Sequence, residues 1–237
     1  LRASYDVIIL PMQGRSVKDI VFDIPMKGKP LPYTKTDRYR FSGDYGSSED
    51  VRGGMGLEGL AELQKFVEQG GTLITTGDAS AVPIDFGLVD DLSETKAGGN
   101  FYAPGPVVTA KVTKPASPIF YGYDADIKDQ KMPVRWATST LFTVPDRLKG
   151  QILMEFPGGK DGVQSGFMRG SDQVKDRPAI INVPDGSGRV LMFATNPIWR
   201  WQNLGEFRML YNALINWKQL GLTDEAPPAP PPVPEGQ

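Results

Sequence analysis

Apolar and polar positions alternate in several distinct ways along this chain, and each pattern predicts a different element. Tyr5 to Met12 (YDVIILPM) is an apolar run closed by a proline, as expected of a short strand buried on both faces of a parallel sheet. Between Leu57 and Val67 the residues Leu57, Leu60, Leu63, Phe66 and Val67 fall on one side of a helical wheel, and Glu58, Glu62, Lys65 and Gln69 on the other. Gly70 and Gly71 then end the helix, because glycine enters the left-handed conformation that a helix terminus requires. Thr72 to Thr76 resumes as a strand, and helix followed by strand predicts a crossover onto a parallel sheet.

The stretch from Phe101 to Val183 reads differently. Short β-rich segments (VVTAKV, PVRWATSTLFTV, QILMEF, PAIINV) are separated by Pro and Gly clusters, which favours antiparallel pairing. The turn signal PDGSG at Pro184 to Gly188 joins Ala179–Val183 to the buried run Arg189–Thr195. A closing helix follows, with Phe207, Leu210, Tyr211, Leu214, Ile215 and Trp217 at helical spacing and a stop near Gly221. Burying that face contributes about 1.5 to 3 kcal/mol per large side chain. The fold class expected is α/β: a mixed, mainly parallel sheet flanked by helices, with an antiparallel β-rich insertion. Residues 1–223 form the α/β domain, 101–183 its β-rich part, and 224–237 a Pro-rich tail expected to be extended and disordered.

Gln13 to Gly53 loses periodicity and gathers Gly, Pro, Tyr, Lys and Arg, so it reads as a long loop, either functional or an ordered excursion packing its tyrosines on the body. A strand at Tyr5–Met12 that is buried on both faces needs neighbours on both sides, yet only four residues precede it. The expected partner is an upstream domain or a second chain that completes the sheet there.

Composition narrows the chemistry. The 237 residues carry 26 basic and 28 acidic side chains, a formal charge of -2, which leaves no cationic surplus for a phosphate backbone, so nucleic acid is not an expected partner. No apolar run reaches the roughly 20 residues needed to span a bilayer, and LRASYDVIIL lacks the pattern of a signal peptide. There is no cysteine and no histidine. Thiolate chemistry, zinc clusters of the Cys and His type and the commonest general base are thereby excluded, and no metal or cofactor is expected.

Four places still have chemical potential. Asp78 and Ser80 lie just past a strand's carboxyl end, where open α/β sheets bind ligands. The alternative is that they cap the next segment by accepting backbone N–H bonds. Gly54, Gly56 and Gly59 spell GxGxxG ahead of a helix, and Asp78 follows nineteen residues after Gly59, the arrangement of a dinucleotide site. Such a site needs a strand directly before the glycines, and the nearest expected strand ends about forty residues earlier; otherwise the glycines shape a tight helix entry. Asp90 with Asp91, and Asp124 with Asp126, read as solvated loop acids, because the calcium-loop pattern is incomplete. The loop Asn196 to Gly205 carries Trp199, Arg200 and Trp201, which suit a peptide or glycan contact or else roof the core with Arg200 stacked on a ring.

The blocks YDVIILPM, GMGLEGLAELQKFVEQGGTLITTGDAS and GSGRVLMFATNPIWRWQNLGEFRMLYNALINW resemble the carboxyl-terminal domain of bacterial secreted proteins of the zinc carboxypeptidase A type. That domain is similar in fold to class I glutamine amidotransferases. The resemblance implies a flavodoxin-like or amidotransferase-like sheet, an upstream peptidase domain that supplies the zinc ligands, a secreted or periplasmic location, and a first strand and helix ahead of Leu1. It would set a nucleophilic cysteine near Asp78 and a histidine near Asn196 and Pro197. This chain has neither, so the implied role is a pseudoenzyme domain that binds or positions rather than reacts. The other readings are a carbohydrate or cell-surface binding module, and a cofactor-using enzyme acting through Gly54–Gly59 and Asp78.

Overall fold

A computed structural model describes residues 1–123, 131–136, 140–159 and 162–221. In chain order its main elements are β1 (Val7–Leu10), α1 (Val17–Phe22), α2 (Gly56–Glu68), β2 (Thr72–Thr76), α3 (Val82–Asp85), β3 (Ser93–Lys96), β4 (Val107–Val112), β5 (Lys131–Arg135), β6 (Thr140–Thr143), β7 (Ile152–Phe156), β8 (Val163–Ser165), β9 (Arg177–Asp185), β10 (Gly188–Phe193) and α4 (Leu204–Ile215). The chain is α/β, with one large mixed sheet flanked by helices. The strand order is β1-β2-β10-β9-β7-β4-β5, with β8 pairing β4; β3 and β6 form a separate pair. β2 runs parallel to both β1 and β10, whereas every pairing from β10 to β5 is antiparallel. The β-rich part therefore continues the same sheet.

Helices cover both faces, and strand periodicity decides which residue goes where. Leu73, Val190 and Met192 pack with Ile20 and Val21 of α1 and Leu60, Leu63, Phe66 and Val67 of α2. Their neighbours Ile74, Leu191 and Phe193 point the other way, to Met209, Leu210 and Ala213 of α4 and the ring of Trp136. The helix-to-strand turn needs its glycines. Gly70 has φ +95°, and a Cβ on Gly71 would lie 2.4 Å from the Phe66 ring.

Three expectations need correction. Residues 13–53 are not all loop, because Val17–Phe22 is helical. Ser16 caps it by accepting the Asp19 N–H at 3.2 Å, and Ile20 and Val21 are buried. The remainder is an ordered excursion, but its tyrosines do not pack on the body. Leu31–Tyr33 pairs with Ser48–Val51 through backbone bonds, and Arg52 forks onto Asp50 while donating to the carbonyls of Lys27 and Gly28. Tyr33, Tyr39 and Tyr45 stay exposed. Finally, the buried stripe of α4 is Glu206, Met209, Leu210 and Ala213, with Tyr211 and Ile215 in solvent, so the helix is rotated from the face expected.

Asp124 and Asp126, expected to be solvated loop acids, and the Pro-rich tail 224–237 lie outside the described residues. Among the described residues no helix is long and apolar enough to cross a membrane.

Candidate functional site at the carboxyl ends of the parallel strands

The ends of β1, β2 and β10 meet at one edge of the sheet. Beyond β2 the chain turns at Gly77, whose N–H donates to the Thr195 carbonyl at 3.0 Å and whose φ is +56°. A Cβ there would lie 2.9 Å from the Met12 side chain, so the residue after β1 and the residue after β2 are in close contact. The Met12 N–H donates to Thr76 Oγ1 at 2.9 Å. Asp78 accepts the N–H groups of Gln13 at 3.0 Å and Arg15 at 2.8 Å, holding the post-β1 loop against the post-β2 turn. It thus binds backbone donors of an earlier loop and does not cap the segment that follows.

Ser80 is fully buried. Its Oγ accepts from Thr75 Oγ1 at 2.8 Å and donates to the Phe193 carbonyl at 2.9 Å, tying β2 to β10. With its proton committed to a strand carbonyl, this hydroxyl is a structural link rather than a poised nucleophile. Asn196 is also buried; its amide donates to Met12 Sδ at 3.5 Å and its Oδ1 accepts from the Ile198 N–H at 3.4 Å.

On the other side of β10 the picture changes. Glu206, in the first turn of α4, is completely buried. Its Oε2 accepts the Arg135 backbone N–H at 2.8 Å and the Asn203 amide at 2.9 Å, and Asn203 also donates to the Pro133 carbonyl at 2.8 Å. The helix that carries it is pinned by Asn212, which donates to the carbonyls of Ile119 and Tyr121. Burial pushes the Glu206 carboxyl up to about 8, offset in part by the Arg135 N–H, the facing Thr195 hydroxyl, Asn203 and the Arg135 charge. Thr195 Oγ1 and Glu206 Oε1 are both buried without a hydrogen-bond partner, although the hydroxyl faces the carboxyl.

Arg135, 7% exposed, completes the cluster. Its guanidinium lies 4.1 Å from the centroid of Trp199, while Nε and Nη1 have no hydrogen-bond partner. Desolvation lowers its pKa, Glu206 raises it and Arg200 lowers it further. Arg200 sits over the same indole at 4.7 Å, so guanidinium groups of two arginines contact Trp199. Trp201 is 78% exposed and leans on Phe207. Arg200 and Trp201 both have left-handed backbones, φ +45° and +58°, an arrangement that strains residues with a Cβ.

No family model matches this chain, and no curated protein matches it. Among solved structures it is similar to PurLQS from Thermotoga maritima, at 16% identity and TM-score 0.49 over 78% of this chain and 82% of that one. A cytoplasmic protein from Salmonella typhimurium aligns at 12% identity and TM-score 0.47 over 90% of this chain and 71% of that one. A putative ThuA-like protein from Parabacteroides merdae aligns at 14% and 0.44, over 73% and 69%.

The sheet edge thus holds Asp78, Ser80 and Asn196, each bonded to partners of its own, and sets Trp199 and Arg200 over the Arg135 cluster, leaving Trp201 in solvent. Gly54, Gly56 and Gly59 belong to neither. Residues 51–55 are turn and coil, so the strand a dinucleotide site requires there is missing. A Cβ on Gly54 would lie 2.3 Å from the Val21 carbonyl oxygen, so this glycine serves close packing on α1. Among the described residues no three acids group as a metal site. Sequence reasoning passed over Arg135, Thr195 and Glu206. The signal for Glu206 was present, since a glutamate stands at i-3, i-4 and i-7 from Met209, Leu210 and Ala213 and so shares the buried stripe. Nothing in the sequence marked Arg135 as its neighbour, because 71 residues separate them.

Proposed function

We propose that this chain is a non-catalytic accessory domain that binds a partner or positions a substrate, and that it belongs to a polypeptide resembling a secreted zinc carboxypeptidase. The observation that carries this reading is the state of the strand-end position. Asp78 and Ser80 stand where an enzyme of this architecture presents its nucleophile, and their polar atoms are bonded to neighbouring loops and strands. With no histidine or cysteine in the chain, nothing replaces them. The edge strand β1 supports a partner beside it: among the described residues β2 is its one neighbour in the sheet, and Ile9 is 36% exposed in an apolar strand that lacks the charges and prolines which usually protect an edge. An upstream peptidase domain or a second chain would complete the sheet there. The test is an assay of the purified chain for peptidase and glutaminase turnover, with and without added zinc. No turnover is expected; turnover abolished by Asp78→Ala would overturn the reading.

A second reading, a carbohydrate or cell-surface binding module, is favoured by one observation. The Trp201 indole is exposed, next in sequence to Arg200, whose guanidinium lies over Trp199, and an exposed ring suits a sugar face. Titration of glycans against the wild type and Trp201→Phe, followed by tryptophan fluorescence, should give a saturable shift that the variant alters. An unshifted spectrum for every glycan counts against it.

A further inference from the structure

The cluster beneath Trp199 is short of one chemical group. Arg135 is buried and forms no ion pair among the described residues. The carboxyl facing it, Glu206, is pushed up to about 8 by burial, so below that pH it gives the guanidinium little compensating charge. A buried cation without an anion, flanked by unpaired polar atoms, is unfavourable unless something else occupies the position. The atoms left without partners are Arg135 Nε and Nη1, Thr195 Oγ1 and Glu206 Oε1. Each can donate: two guanidinium N–H groups, a hydroxyl, and the proton of a neutral carboxyl. What such a set lacks is an acceptor carrying one negative charge.

We propose that Arg135, Thr195 and Glu206 form a binding site for the carboxylate of a small organic acid, with Trp199 as its wall. The inference rests on the reading of this domain as a binding module, and names the ligand chemistry of that same sheet edge. Three features agree with it. The cluster lies at the carboxyl end of β10 and the amino end of α4, where backbone geometry favours anions. Gly105 lets the guanidinium pack closely into the cluster, since a Cβ there would lie 2.6 Å from Arg135 Nη2. One buried cation beside one neutral acid suits a monoanion, whereas a dianion would face the carboxyl with surplus charge. The carboxylate would accept from the guanidinium and from the Glu206 and Thr195 hydroxyls without any covalent step.

Calorimetric titration and thermal shift of the folded chain at pH 6.5 and constant ionic strength test this, with acetate and N-acetylglycine as probes and acetamide and inorganic phosphate as controls. The carboxylates are expected to bind saturably, at least tenfold more tightly than either control. Arg135→Gln and the nearly isosteric Thr195→Val should each weaken binding at least tenfold, and Glu62→Ala on the exposed face of α2 should leave it unchanged. The second substitution keeps the test intact if the first fails to fold. The groups facing Glu206 are Arg135 from β5, which Arg200 faces in turn from the loop, and Tyr123, whose hydroxyl burial pushes up to about 12 beside Arg208, while Asn203 and Thr195 are neutral. Binding should therefore fall as pH rises through about 8, where Glu206 ionises, and Glu206→Gln should remove that fall. Equal binding of acetamide, preference for phosphate, indifference to both Arg135→Gln and Thr195→Val, or a crystal grown in acetate with only water at the cluster would overturn the proposal. Those results would leave the non-catalytic reading standing, because that reading fails on Asp78-dependent turnover whatever the carboxylates do.

Discussion

Where β1 and β2 end, the polar side chains that the loops contribute are paired with one another. Asp78 takes two backbone N–H groups, Thr76 takes one, and Ser80 bridges Thr75 to the Phe193 carbonyl. Where β10 ends against β5 and α4, barely one turn of chain away, Thr195, Arg135 and Glu206 are as deeply buried and keep four polar atoms without partners. The first region is closed by hydrogen bonds that knit the fold; the second is held in place by Asn203 and the Arg135 N–H while its remaining donors face one another unsatisfied. Buried polar groups stay in a structure for one of two reasons, because they bond the fold or because they meet something from outside, and this sheet edge separates the two cases.

The largest expected effect comes from breaking the second region. Glu206→Ala should cost about 3 kcal/mol or more, because it strands the Arg135 N–H and the Asn203 amide in the interior. Glu206→Gln keeps an acceptor and should cost less than about 1 kcal/mol at pH 6. The two differ further in pH dependence. With its folded pKa raised by burial to about 8, against the ordinary glutamate value of 4.5, Glu206 binds its proton more tightly in the native state than in the unfolded one. Its contribution therefore weakens as pH rises from about 4.5 to about 8 and is level above that, with a slope of at most about 1.4 kcal/mol per pH unit. Urea denaturation at a series of pH values reads this slope, and Glu206→Gln should flatten it. An unchanged slope would mean that the carboxyl is already ionised at neutral pH, and the contrast between the two regions would lose its electrostatic half.

Ser80→Ala probes the first region and should cost about 1 to 3 kcal/mol, since it leaves the Phe193 carbonyl and the Thr75 hydroxyl without their buried partner. The chain should remain inactive toward peptide and glutamine alike. Asp78→Ala comes next, at about 1 to 2 kcal/mol, because its bonds lie nearer solvent. Hydrogen exchange should locate the damage, with the Gln13 and Arg15 amides losing protection while those of β2 keep theirs. Equal loss across β2 would show that Asp78 supports the core, not only the loop.

How far the two regions could be read from sequence follows the same division. Strands β2, β9 and β10 and helix α2 were legible because local periodicity matches burial, as with Leu60, Leu63, Phe66 and Val67, whereas β1 was located but expected to be buried on both faces, and as an edge strand it buries only Leu10. Helix α1 was hidden by its Gly-, Pro- and Tyr-rich surroundings, although Ser16 and Asp19 stand at capping distance ahead of Ile20 and Val21. Asp78 and Ser80 were found as residues at a strand end, but their partners were not, since Gln13, Arg15 and Phe193 are remote in sequence. The unsatisfied cluster was missed for a related reason. Arg135 lies in a β-rich stretch whose pairing no local pattern fixes, and the face of α4 was misjudged when Tyr211 and Ile215 were given more weight than a buried glutamate.

The smallest expected effect separates the loop that covers the cluster from the cluster itself. Trp201 is exposed and left-handed, so truncating it removes a contact with Phe207 and little else. Trp201→Ala retains a Cβ at φ +58° and keeps the strain, whereas Trp201→Gly removes it. The glycine variant should therefore be more stable than the alanine variant by about 1 kcal/mol, with each within about 1 kcal/mol of the wild type. Neither should change the pH slope assigned to Glu206, because the indole of Trp199, not that of Trp201, lies against Arg135. If Trp201→Gly did alter that slope, the loop and the cluster would be one cooperative unit, and the left-handed pair Arg200 and Trp201 would have to be counted among the groups that keep Arg135 buried.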